Sequence, residues 1–187
     1  MADEGPIVCN AGPLIALSMI GQLDLLESLY ERVLVPEAVL QEVSGDGLGR
    51  IGAAEVKAAS WLERIGEGTV VDPLLATELG PGEAAVIAAA HRLGAGLVLI
   101  DERRARRIAE HAYRLRVKGS AGILVSAKRA GLIAAVRPFL TSMVSQGYYL
   151  SERLVERATQ EAGEAATSYP APRSASRSRP RRSGKSS

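Results

Sequence analysis

The sequence holds one cysteine, Cys9, so no disulfide can form within the chain, and a small secreted scaffold stapled by disulfides is excluded. Aromatic residues are scarce at 4%, with one Trp and one Phe. Ala, Leu, Val and Ile must therefore fill any core, which suits an α/β or all-α domain better than a β-sandwich. No basic region followed by an apolar stretch opens the chain, so no signal peptide is expected. The most apolar region, residues 84–100, is broken by His91, Arg92 and several glycines and is too interrupted to span a bilayer. A cytoplasmic location without a membrane partner is the expectation. No phosphate-binding loop of the Walker type occurs, and "GLGRIG" lacks the preceding strand that a dinucleotide site needs.

What is present is sorted unevenly along the chain. The last fifteen residues, "RSASRSRPRRSGKSS", carry six basic side chains and no acid, and the rest holds 17 basic and 21 acidic ones. A mildly acidic body is thus joined to a strongly basic end. The body has the length of one domain with a full core, assigned here to residues 1–163. Residues 164–187, rich in Ser, Pro and Arg, cannot bury a core and are expected to form a disordered tail. The tail is either a solvated extension or a loose electrostatic grip on nucleic acid.

Short apolar runs alternate with helical periodicity. Ile7 to Cys9 reads as a strand, as do "RVLVP", "LVLID" and "LRVKG", with one further strand at 62–65 or at 69–71. Between them lie helical stretches such as "PEAVLQEVSGDG", "LGPGEAAVIAAAHRLGAG", "ERRARRIAEHAYR" and "SAGILVSAKRAG". Pro138 either kinks a later helix or lies near its start, and Ser151 is positioned to cap the last one. Strands alternating with helices argue for an α/β domain with a mostly parallel sheet covered on both faces.

In such sheets functional groups gather beyond the carboxyl ends of the strands. Asn10 ends the first strand, Glu42 lies on the helix after "VLVP", Glu83 opens the helix of "GPGEA", and Asp101 ends "LVLID". Each acid also has a plain structural explanation. Glu83 complements a helix dipole, Asp101 can cap the following helix, and Glu42 can be a solvated helix residue. Their coincidence at one rim, without thiol or imidazole, points to a hard cation such as Mg²⁺ or Mn²⁺. Such an ion polarises a phosphate oxygen and activates water for phosphodiester hydrolysis. The helix after Asp101 is dense in arginine, with Arg103, Arg104 and Arg107 beside the acids, which is either a solvated helix face or the cation set that a phosphate backbone requires. Tyr113, Tyr148 and Tyr149 are candidates for base stacking or for the core. Ser18 has no histidine partner in the pattern, so nucleophilic catalysis is poorly served.

The stretches "IVCNAGPLIALSMIGQLDLLESLY", "VLVPEAVLQEV", "LGPGEAAVIAAAHRLGAGLVLIDERRARRIA" and "LRVKGSAGILVSAKRAGLI" together resemble PIN domains. The resemblance is closest to a prokaryotic branch related to the toxins of virulence-associated toxin–antitoxin pairs, and it covers most of residues 6–160. It implies a three-layer α/β/α fold with a five-stranded parallel sheet of order 3-2-1-4-5. It also implies an Mg- or Mn-dependent ribonuclease, an antitoxin partner and a homodimer. The family's four acidic positions fall on Asn10, Glu42, Glu83 and Asp101, so an amide stands at the first. The polar step that often follows is here Ala11–Gly12. Glu42, Glu83 and Asp101 would be the catalytic acids, and Arg103, Arg104 and Arg107 would steady the RNA. The alternative is a weakened PIN fold that binds RNA or a protein without cutting.

Overall fold

The computed structural model describes residues 5–45, 49–66 and 70–164, with the backbone alone at 49–51. Five strands form one sheet: β1 (Ile7–Cys9), β2 (Val33–Pro36), β3 (Leu62–Ile65), β4 (Leu97–Leu99) and β5 (Val117–Lys118). Every neighbouring pair is parallel, and the order is β3-β2-β1-β4-β5. β1, β2 and β4 are buried at every residue, as strands covered on both faces must be, whereas β3 is buried only at Leu62 and β5 is half-buried at the other edge. This is the expected α/β/α arrangement, and of the two positions considered for the third strand the chain uses 62–65.

The helices are α1 (Ala11–Met19), α2 (Leu25–Leu29), α3 (Glu37–Val43), α4 (Gly49–Ala58), α5 (Pro73–Glu78), α6 (Pro81–Leu93), α7 (Arg103–His111), α8 (Ser120–Arg129), α9 (Arg137–Ser145) and α10 (Glu152–Glu161). α6 packs against β1, β2 and β4. It buries every residue from Ala84 to Ala90, and its alanines let the helix approach the sheet closely. Gly94 ends α6 in the left-handed region at φ +59°, where a side chain would be strained. Leu14, Leu17, Leu26, Ile87 and Ile100 are fully buried, each contributing about 1.5–3 kcal/mol of hydrophobic stabilisation.

α5 was not among the helices anticipated. It is six residues long and buries only Leu75, so it has no apolar stripe to read; the Asp72 carboxylate caps it from Leu74 N at 2.7 Å. Pro138 is the second residue of α9 and opens the helix. Ser151 caps α10 by accepting from Leu154 N at 3.3 Å. The predicted tail lies outside the described residues from 165 onward. Glu164, the last described, accepts from the backbone N–H groups of Val136 (2.5 Å) and Arg137 (3.0 Å) and pairs with Lys128 (3.0 Å). The C-terminal end of the described chain is thereby tied to the start of α9.

Candidate functional site

Chain order runs outward from β1 in both directions: β2 and β3 to one side, β4 and β5 to the other. That reversal opens a crevice beyond the carboxyl ends of β1 and β4, where open α/β sheets bind ligands. Asn10 follows β1 and Asp101 lies two residues past β4, so both border the crevice. The register pairs Cys9 with Leu99, and Asn10 N continues the ladder to Leu99 O at 2.9 Å.

Asn10 is 4% exposed, and its Oδ1 is buried without a hydrogen-bond partner. An orphaned buried amide oxygen costs about 1–3 kcal/mol unless something satisfies it. The α6 backbone passes close by at Gly82. A Cβ there would come within 2.4 Å of Glu42 Oε2 and 3.5 Å of Asn10 Oδ1. Only glycine leaves that space, and the Glu42 carboxylate occupies it. α3 starts directly from β2, which brings Glu42 to this end of the sheet. Burial, and then the nearby Glu83, push the Glu42 carboxyl above the usual carboxylate range. Glu83 is the third residue of α6, and its Oε2 folds back to within 2.6 Å of the position a Cβ on Gly80 would take. It therefore complements the N-terminus of α6 while still acting on Glu42.

Asp101 is held differently. Its Oδ1 accepts from Ser120 N at 2.8 Å, and its Oδ2 accepts from the Ser120 hydroxyl and from Tyr148 Oη at 2.8 Å. Asp101 thus caps α8. The cap of the next helix, α7, falls to Glu102, whose carboxylate accepts from Ala105 N at 2.6 Å. Among the described residues no three His, Cys, Asp or Glu side chains converge closely enough to hold an ion.

Burial, and then the charge of Asp101, raise the Cys9 thiol well above its ordinary value, which removes it as a nucleophile. His91 stacks edge-on against Tyr113 with ring centres 5.4 Å apart, and His111 is the exposed last residue of α7. Arg103 and Arg107 are exposed on α7, and Arg104 is paired with Glu78 of α5. Arg106 donates to Ile100 O at 3.2 Å, directly behind Asp101. Tyr149 is 88% exposed, whereas the Tyr148 phenol is withdrawn from water, and burial with Asp101 raises its ionisation far above the ordinary range. Sequence reasoning missed Ser120 and the Tyr148–Asp101 bond because both partners are distant along the chain.

A family model described as a PIN domain matches residues 6–164. The chain belongs to the PIN-domain family. No curated protein and no solved structure matches it. PIN domains are in general nucleases that work with divalent metal ions, and the candidate donors in this PIN domain are hard oxygens of the kind such an ion takes. Asn10 Oδ1 is a hard oxygen lacking a partner, the Glu42 carboxylate abuts the same space, and Glu83 adds a second negative charge. Asp101 accepts three hydrogen bonds and retains acceptor capacity, since a carboxylate offers about four lone-pair sites. No helix among the described residues is long and apolar enough to cross a membrane.

Proposed function

We propose that this PIN-domain protein is a divalent-metal-dependent ribonuclease that hydrolyses RNA phosphodiester bonds and serves as the toxin of a toxin–antitoxin pair in the cytoplasm. The observation that carries the nuclease reading is the unpartnered Oδ1 of Asn10, buried beside the Glu42 carboxylate at the β1/β4 crevice. The toxin role rests on the sequence resemblance. Asn10, Glu42, Glu83 and Asp101 would hold Mg²⁺ or Mn²⁺, which supplies Lewis-acid polarisation of the phosphate and activation of water. Glu42, with its raised carboxyl, is the acid whose charge depends most on a cation being bound. Ser120 and Tyr148 orient Asp101 by donating to it. Arg103 and Arg107 lie exposed on the helix after Asp101, where they would balance the charge of the RNA backbone. Tyr149 offers an open aromatic face to an unpaired base. Catalysis needs neither imidazole nor thiol. A homodimer and a small antitoxin that covers the acidic crevice complete the proposal.

The test is cleavage of single-stranded RNA by purified protein. Activity should require Mn²⁺ or Mg²⁺ and be lost in Glu83→Gln and Asp101→Asn. Absence of cleavage with any divalent ion would overturn the enzymatic reading.

The neutral Asn10 and the engaged Asp101 favour a second reading, a PIN fold that binds RNA or a protein without cutting. It predicts RNA retention that survives EDTA and falls when Arg103 and Arg107 are replaced by alanine.

A further inference from the structure

We propose that Tyr148 is a positioning residue for Asp101, so that the loop between α9 and α10 completes the metal site. This inference rests on the metal-dependent reading above. The phenol meets Asp101 from 47 residues away in sequence, through its Oη donating to Oδ2 at 2.8 Å. The loop that carries it is built for that placement. α9 ends in a turn in which Gly147 adopts φ +94° and Tyr148 N returns to Met143 O at 2.9 Å. The side chain then runs inward toward the start of α1. A Cβ on Gly12 would lie 3.3 Å from both Tyr148 Oη and Asp101 Oδ2, so the bond is packed against that backbone. The Ala11–Gly12 step has no side-chain donor to offer Asp101, and the phenol occupies the room it leaves.

Ser120 fixes the carboxylate from the opposite element, through its backbone N–H on Oδ1 and its hydroxyl on Oδ2. Two donors on α8 and one on the α9–α10 loop hold the plane of the carboxylate. A carboxylate fixed in this way loses less freedom when it takes up a metal. Partners that orient a ligating side chain typically change metal affinity by about 10–100-fold when removed. Tyr149, the next residue, stays open to solvent, so the same anchor also fixes the exposed aromatic near the crevice.

The experiment is calorimetric titration of the full chain with Mn²⁺, comparing wild type, Tyr148→Phe and Ser120→Ala, with Tyr113→Phe as a control for loss of a phenol elsewhere. Tyr148→Phe keeps the ring and removes only the donor. Its Mn²⁺ dissociation constant should rise about tenfold, Ser120→Ala should behave alike, and Tyr113→Phe should match wild type. RNA cleavage by Tyr148→Phe should fall at limiting Mn²⁺ and return at saturating Mn²⁺, a rescue that a purely structural role would not give. Equal or tighter Mn²⁺ binding by Tyr148→Phe would overturn the inference and leave the nuclease reading intact. A wild-type protein that binds no Mn²⁺ would overturn both. Should Tyr148→Phe not fold, unchanged affinity in Ser120→Ala decides against the positioning of Asp101 by its donors.

Discussion

Asn10→Asp replaces a neutral amide with a carboxylate at nearly constant shape. The site is 4% exposed, and the oxygen that is retained, Oδ1, has no partner to lose. The new charge would face Glu42 across the space beside Gly82, where burial and Glu83 have already raised the Glu42 carboxyl. At a separation on the order of 5 Å and an effective dielectric of about 20, one such like-charge pair costs about 3 kcal/mol. Without metal, therefore, the variant should unfold at lower temperature, by about 2–4 °C for each kcal/mol that proton uptake does not relieve. A divalent ion removes that repulsion, and 3 kcal/mol corresponds to about a hundredfold in affinity. Calorimetry should show Mn²⁺ binding tightened by between about ten- and a hundredfold, and thermal melts should show a larger Mn²⁺-induced rise than in wild type. RNA cleavage should rise in parallel. An unchanged Mn²⁺ affinity together with an unchanged melt in EDTA would refute the placement of Asn10 at the ion.

Three further perturbations separate stability from metal affinity. Gly82→Ala places a methyl where Glu42 Oε2 now lies, yet improves helix propensity by about 1 kcal/mol; Mn²⁺ affinity should fall while the melting temperature in EDTA holds or rises. Glu42→Gln removes an acid whose carboxyl is raised in the folded state. Its stabilisation in EDTA should be full above that raised value and vanish as pH falls below the ordinary glutamate range, read from melts across pH. For Glu164, burial pushes the carboxyl up, but the Val136 and Arg137 amides and Lys128 outweigh it and hold it below the ordinary range. Glu164→Gln should cost about 1.5–3 kcal/mol in denaturant unfolding above the ordinary glutamate range, and the difference should shrink as pH falls through the lowered value.

The strands were legible because a central parallel strand must be apolar at every residue, and "IVC", "VLVP" and "LVL" are. α6 was legible from its Gly-Pro-Gly entry and glycine exit, which are local signals. α5 carried no such signal, since one buried leucine in six residues makes no stripe. The four rim positions could be anticipated because each sits at or just after the end of a strand or in the first turns of a helix. Their orientations could not. Asp101 could be read as a cap, but its partner is α8 and not the helix that follows it, a choice set by tertiary distance rather than spacing. Glu102, three residues before Ala105, fills the nearer role. Tyr148 stood equally for the core and for stacking, and its hydroxyl is committed to Asp101 through a contact no local pattern encodes.

Three carboxylates and one amide at the β1/β4 crevice are proposed to suffice for metal-dependent RNA cleavage. Mn²⁺ titration of single-stranded RNA cleavage by wild type and Asp101→Asn tests it most directly. Cleavage should rise with Mn²⁺ in wild type and be abolished in Asp101→Asn at every concentration. Cleavage that persists in EDTA, or equal cleavage by both proteins, would contradict it.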